Sequence, residues 1–177
     1  MLFRSLVMEM MVAGRESVAG AVVEGLDWGR AAGVTQISRR FVAGVAPAEK
    51  PLSVPGAGAP EAAASSAAQM EVALGEALAS RIGARVGDVI RLVIPFSEGD
   101  LDSASSSKVV PARVTGLVKM GMFEYDSKFV FAPIEALRSV VGAPNQATSM
   151  KIRLVDGSRS REASDRGRTP TTFIWPG

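Results

Sequence analysis

The most unusual run of chemistry-bearing residues is Glu124-Tyr125-Asp126, set between Gly121-Met122-Phe123 and Ser127. On an extended strand two carboxylates two residues apart share a face, which is the placement an acid/base pair needs. Nothing else in the chain supplies a sugar platform. The preferred reading is therefore a tight strand connection, in which Gly121 permits the turn and the carboxylates accept backbone N–H groups. Ser107-Lys108 sets a hydroxyl beside an amine, the pair a Ser/Lys hydrolase would use, but neighbouring loop residues do not point together into a dry pocket that depresses a lysine pKa. Asp100-x-Asp102 lacks the rest of an EF-hand register, because Ser105 and Pro111 stand where glycine and glutamate belong. Gly56-Ala57-Gly58 is followed by Glu61 instead of a third glycine, and no helix opens there, which excludes a dinucleotide fingerprint. The chain has no cysteine and no histidine. Thiolate nucleophiles, Ser-His-Asp triads and Cys/His zinc sites are excluded together. No catalytic residue, metal ligand or cofactor is assigned.

Stepping from residues to composition, 177 residues with 47% apolar and 21% charged side chains describe a globular chain of one domain or two small ones. The net charge is only +2 and the cations are scattered, Arg39-Arg40 being the sole adjacent pair. A phosphate-tracking surface needs several cations on one face, so nucleic acid is not an expected partner. No stretch reaches the roughly 18 uninterrupted apolar residues of a membrane span. Leu6 to Ala13 is the best candidate, and it contains Glu9. The piece itself is expected to be soluble.

The elements that must position these residues read as an α+β domain. Leu6 to Val12 and Val18 to Leu26 are predicted as two strands of a hairpin turning at Gly14-Arg15-Glu16-Ser17. Asp27 is a candidate N-cap for one helical turn ending at Gly33. Met70 to Leu74 is a strand, Gly75 to Ile82 a short helix with Leu78, Ala79 and Ile82 on one face, and Gly83 its left-handed stop. Val86-Gly87-Asp88 makes a turn before a strand over Val89 to Ile94. Phe96 to Lys108 is a Ser/Asp/Gly-rich loop or hairpin tip. Val109 to Met120 is predicted as a strand interrupted at Gly116, Lys128 to Ala132 as another, and Pro133 to Val141 as a helix stopped by Gly142. Ser149 to Val155 alternates Met150, Ile152 and Leu154 against Lys151 and Arg153, a half-buried strand. Residues 1–5 are expected to be a non-native or disordered start, 6–155 the domain, 46–69 a flexible Ala/Pro/Gly/Ser insertion, and 156–177 a disordered tail.

Two longer runs carry a resemblance. Val72-Ala73-Leu74-Gly75-Glu76-Ala77-Leu78-Ala79-Ser80-Arg81-Ile82-Gly83-Ala84-Arg85-Val86-Gly87-Asp88 resembles the strand, helix and turn of the periplasmic domains of MacB-like ABC transporter permeases. Val114-Thr115-Gly116-Leu117-Val118-Lys119-Met120-Gly121-Met122-Phe123-Glu124-Tyr125-Asp126-Ser127, followed by Phe129-Val130-Phe131-Ala132-Pro133-Ile134-Glu135-Ala136, is similar to the lipoprotein-releasing permeases of the LolC/LolE type. Within it Gly121, Met122, Glu124, Tyr125 and Asp126 form the discriminating motif. Val18 to Asp27 resembles the same family more weakly, so that the matches cover residues 6–45 and 70–155.

The resemblance implies a MacB-like periplasmic core domain of mixed sheet, two short helices and a projecting hairpin, belonging to a bacterial inner-membrane protein. It implies a second permease subunit, an ABC ATPase on a separate cytoplasmic subunit, lipoprotein cargo and a periplasmic lipoprotein chaperone. Such a domain performs no chemistry and acts by binding and mechanical coupling. The hairpin that the family uses for its chaperone maps to Val93 through Pro111, with Phe96, Leu101, Val109, Val110 and Pro111 as its apolar contacts. A MacB-like efflux or FtsX-like permease with another periplasmic partner is the alternative within transport. A small hydrolase using Ser107-Lys108 or Glu124/Asp126 is the alternative outside it.

Overall fold

Alternation of buried and exposed residues sets the faces of the sheet, and a computed structural model describes residues 2–48, 69–94, 108–142 and 145–152. The strands are β1 (Leu2–Ala13), β2 (Val18–Leu26), β3 (Phe41–Gly44), β4 (Met70–Gly75), β5 (Val89–Ile94), β6 (Lys108–Val118), β7 (Phe129–Pro133) and β8 (Ser149–Ile152). Between them lie α1 (Trp28–Val34), a 3-10 turn (Ile37–Arg39), α2 (Glu76–Ile82), α3 (Phe123–Lys128) and α4 (Ile134–Val141).

Six strands pair in a closed ring. β1 pairs antiparallel with β2, β2 parallel with β7, β7 antiparallel with β4, β4 parallel with β6, β6 antiparallel with β5, and β5 antiparallel with β1. Closure removes the exposed edges that an open sheet of this size would leave. The interior takes every second residue, including Leu6, Met10, Val12, Val23, Val72, Leu74, Leu92, Val114 and Val130. Leu78 and Ile82 of α2 and Ile134 and Leu137 of α4 join the same cluster.

The intervening residues of β4 and β7 face outward, and there Ala73 and Phe131 meet Leu26, Trp28, Ala31, Ile37 and Val118 in a second cluster. Val118 belongs to it because the register of β6 against β4 shifts between Val72↔Val114 and Ala73↔Gly116. One extra residue, Thr115, moves the following side chains to the opposite face. β3 then packs closely on β6, where a Cβ at Gly116 would stand 2.5 Å from the Phe41 ring.

Several expectations need correction. The first strand extends back to Leu2, where Leu2 to Ser5 pair with β8, so these residues are sheet and not a disordered start. The described residues hold four short α-helices instead of two, since Asp27 does cap α1, accepting from the Arg30 N–H at 3.0 Å, and α3 stands where a strand bend was expected. Gly116 does not interrupt β6, because the bulge absorbs the irregularity. In β8 the phase is the reverse of that predicted: Met150 is 56% exposed while Lys151 turns in to pair with Glu24 of β2. A buried carboxylate captured the amine and set the face, overriding apolar alternation. The remainder of that strand, the insertion after Ala48, the hairpin tip and the tail lie outside the described residues.

Candidate functional site

Two neighbouring features carry the residues singled out from the sequence. The first is the β5/β6 hairpin. Its ladder runs from Val89↔Arg113 to Ile94↔Lys108, which seats both strands in the closed ring up to the base of the tip. Phe96 and Leu101 lie outside the described residues. Val109 is 50% exposed, Pro111 is half-buried, and Val110 is 6% exposed and belongs to the interior cluster. Val110 is therefore a core residue, because adjacent strand residues alternate between faces. Lys108 donates through Nζ to the Val140 carbonyl at 2.7 Å, satisfying a carbonyl of the last turn of α4. Its amine is committed to that contact, which counts against a base for Ser107.

The second feature is the segment from Lys119 to Phe129. Because Phe123–Lys128 is helical, residues two apart lie about 200° apart around the axis. Glu124 is exposed and Asp126 is buried, so the two carboxylates do not share a face. Asp126 instead accepts from the Met120 N–H at 2.6 Å and the Gly121 N–H at 3.2 Å. Gly121 sits at φ +86°, the left-handed region that glycine enters without strain. The turn and its carboxylate acceptor agree with the reading of a structural connection, while the helix was hidden because Phe, Tyr and Asp are weak helix formers.

Other contacts fix the segment further. Gly75 lies so close to it that a Cβ there would stand 2.3 Å from the Asp126 carbonyl oxygen. Lys119 pairs with Glu76 at 2.8 Å, and that hydrogen bond with the carboxylate's charge holds the Lys119 ammonium above the usual lysine range. The Tyr125 ring stacks on Phe129 at 4.5 Å, and Phe129 on Phe131 at 5.9 Å. Met122 and Phe123 are left 55% and 79% exposed. Replacing Asp126 by alanine is expected to cost about 2 kcal/mol, since a charged acceptor is removed from two backbone donors. A urea midpoint unchanged by D126A would contradict that assignment. Among the described residues no group of three His, Cys, Asp or Glu side chains is placed to hold a metal ion.

The geometry is thus that of a docking scaffold, a closed ring holding one hairpin and one pinned helix at its surface. Residues 5–168 match the MacB-like periplasmic core domain family. The chain belongs to that family. As a MacB-like domain it is the periplasmic part of an ABC-type permease. It is 29% identical over 92 residues to the lipoprotein-releasing system transmembrane protein LolC of Neisseria meningitidis serogroup B, a match covering 50% of this chain and 21% of that protein. The chain thus spans about a fifth of that relative. The extracellular domain of the noncanonic ABC-type transporter YknZ from Gram-positive bacteria superposes with a TM-score of 0.57 at 12% identity, covering 92% of this chain and 68% of the other. The periplasmic region of MacB from Actinobacillus actinomycetemcomitans gives 0.48 at 14% identity, covering 92% and 62%. The likeness to YknZ establishes a shared fold. No helix among the described residues of this MacB-like domain is long and apolar enough to cross a membrane.

Sequence reasoning missed the buried Glu24–Lys151 pair of the MacB-like domain, which ties β8 to the ring. The signal was present, since Glu24 interrupts the apolar run Val22-Val23-Glu24-Gly25-Leu26, and a carboxylate there must find a cation when the strand is buried.

Proposed function

We propose that this domain serves a lipoprotein-releasing ABC permease, one that takes lipoproteins from the outer leaflet of the inner membrane and hands them to a periplasmic chaperone. The observation that carries the reading is the 29% identity over 92 residues to LolC. In this reading the domain works with a second permease subunit, and an ATPase on a separate cytoplasmic subunit drives it through the membrane part. The chain's own residues bind and transmit movement. The β5/β6 hairpin is the partner-binding element, with Phe96, Leu101, Val109 and Pro111 as its apolar contacts. The ladder supports this role mechanically, because strands paired on both sides within a closed ring pass a load at the tip into the whole domain. Gly121, Met122, Glu124, Tyr125 and Asp126 serve as the pinned connection that keeps α3 and β7 in place beside it.

Val109 is the contact best suited to test, being 50% exposed at the hairpin base, whereas changing Val110 would disrupt the core. In the full-length permease assembled with its partner subunit and ATPase, Val109→Asp is expected to lower capture of the purified chaperone about tenfold, as for an interface anchor of ordinary strength. Unchanged capture would discard the hairpin assignment. Absence of capture by the unaltered permease would discard lipoprotein release in favour of a MacB-like or FtsX-like permease with another periplasmic partner.

A further inference from the structure

Phe123 is 79% exposed and Met122 55% exposed, although the turn presenting them is held on three sides. Asp126 binds the Met120 and Gly121 N–H groups, Lys119 pairs with Glu76, and Tyr125 stacks on Phe129. A rigid support that presents two large apolar side chains to solvent has the form of a preorganised interface anchor, and Met and aromatic residues are the types enriched in such anchors. Beside it runs a mostly apolar groove of about 450 Å³ lined by Met11, Gly20 and Val22, with Glu9 and Lys128 also in its wall. The floor at Gly20 is open, since a Cβ there would meet nothing within 4 Å. Lys128 and Phe123 are the last and first residues of α3, so knob and groove lie about 8 Å apart along one helix.

We propose that the Met122-Phe123 knob of one copy of this chain seats in the Met11/Gly20/Val22 groove of a second copy, reciprocally about a two-fold axis. A protrusion and a recess side by side on one surface are the two halves of a self-complementary patch, and a second copy fills both at once. Charge agrees with the same arrangement. Glu124, exposed next to Phe123, meets Lys128 beside the partner's groove, and the symmetry makes this pair twice. The inference goes beyond lipoprotein release and is independent of what the permease carries.

The absence of cysteine from the sequence makes the test direct. Phe123→Cys and Gly20→Cys variants of the full 177-residue chain, mixed under mild oxidation, are expected to give a 123–20 disulfide between copies. Phe123→Cys mixed with Val42→Cys, which places a thiol on β3 at a residue 51% exposed, is expected to give none. By sedimentation, Phe123→Asp is expected to weaken the dimer about thirtyfold, the loss an aromatic hot spot produces. Its circular dichroism and melting temperature should match those of the parent, because Phe123 has little packing to lose. Glu124→Lys is expected to weaken the dimer, and the doubly substituted chain with Glu124→Lys and Lys128→Glu to restore it. A chain that sediments as a monomer up to its solubility limit would overturn the proposal. So would a dimer indifferent to Phe123→Asp, or a knob that cross-links only to a different protein.

Discussion

Replacing Gly75 by alanine is expected to destabilise the domain by about 3 kcal/mol, the upper part of the range for overpacking a tight contact. The sign is not obvious from the backbone, because Gly75 sits at φ −60° and ψ 137°, a conformation alanine adopts freely. Loss of unfolded-chain entropy alone would make the change stabilising by about 0.4–1 kcal/mol. The neighbour decides the outcome. The new Cβ would stand 2.3 Å from the Asp126 carbonyl oxygen, 2.7 Å from its carbonyl carbon and 2.9 Å from its Cα, all backbone atoms that cannot rotate away. The strain falls on the residue whose carboxylate holds Met120 and Gly121, so α3 must either shift or lose its turn. Thermal unfolding is the measurement, with a fall in melting temperature of roughly 6–12 °C for a domain of this size. Gly20→Ala, where the added methyl meets open space, is the control expected to change little. Equal melting of the two variants would show that the close approach of α3 to β4 is wrong.

Replacing Lys151 by methionine is expected to cost about 3 kcal/mol, the lower end of what breaking a buried ion pair costs, because the lysine side chain itself is 38% exposed. The Glu24 side chain is 4% exposed and Lys151 is its ion-pair partner, so the substitution strands a carboxylate in the interior face of the sheet. The damage should begin locally. β8 stands outside the closed ring and is paired only with Leu2 to Ser5 of β1. Amide exchange at Ser149 to Ile152 and at the start of β1 is expected to accelerate before that of the ring strands. The doubly substituted chain with Glu24→Gln and Lys151→Met should recover much of the loss, since neither buried charge remains. A Lys151→Met variant with parental denaturant midpoint and parental β8 exchange would remove the pair from the account of stability.

Much of the local structure was legible in particular residues. β2 and β5 begin and end where alternation and the turn residues place them, and Asp27, Gly83 and Gly142 bound their helices as their chemistry dictates. Signals of this kind are short-range, which is why they survive without knowledge of partners. The candidate site was legible in part. Gly121 and Asp126 do form a turn and its acceptor, but reading the segment as strand put Glu124 and Asp126 on one face, and α3 separates them. Treating the apolar residues of the hairpin as one contact set overlooked that strand neighbours alternate, which sends Val110 inward while Val109 faces solvent.

By itself the chain's sequence settled that thiol and imidazole chemistry are absent, that strands outnumber helices, and that its motifs resemble those of a periplasmic permease domain. These depend on residue identity and on spacings of a few residues. Tertiary structure alone decided that the strands close into a ring, that Thr115 switches the face of β6, and that Glu24 finds Lys151 across 127 residues of chain. Those outcomes are pairings between distant segments, and which partner a buried group or strand edge acquires is set by the packing of the whole domain, a quantity no local window of sequence contains.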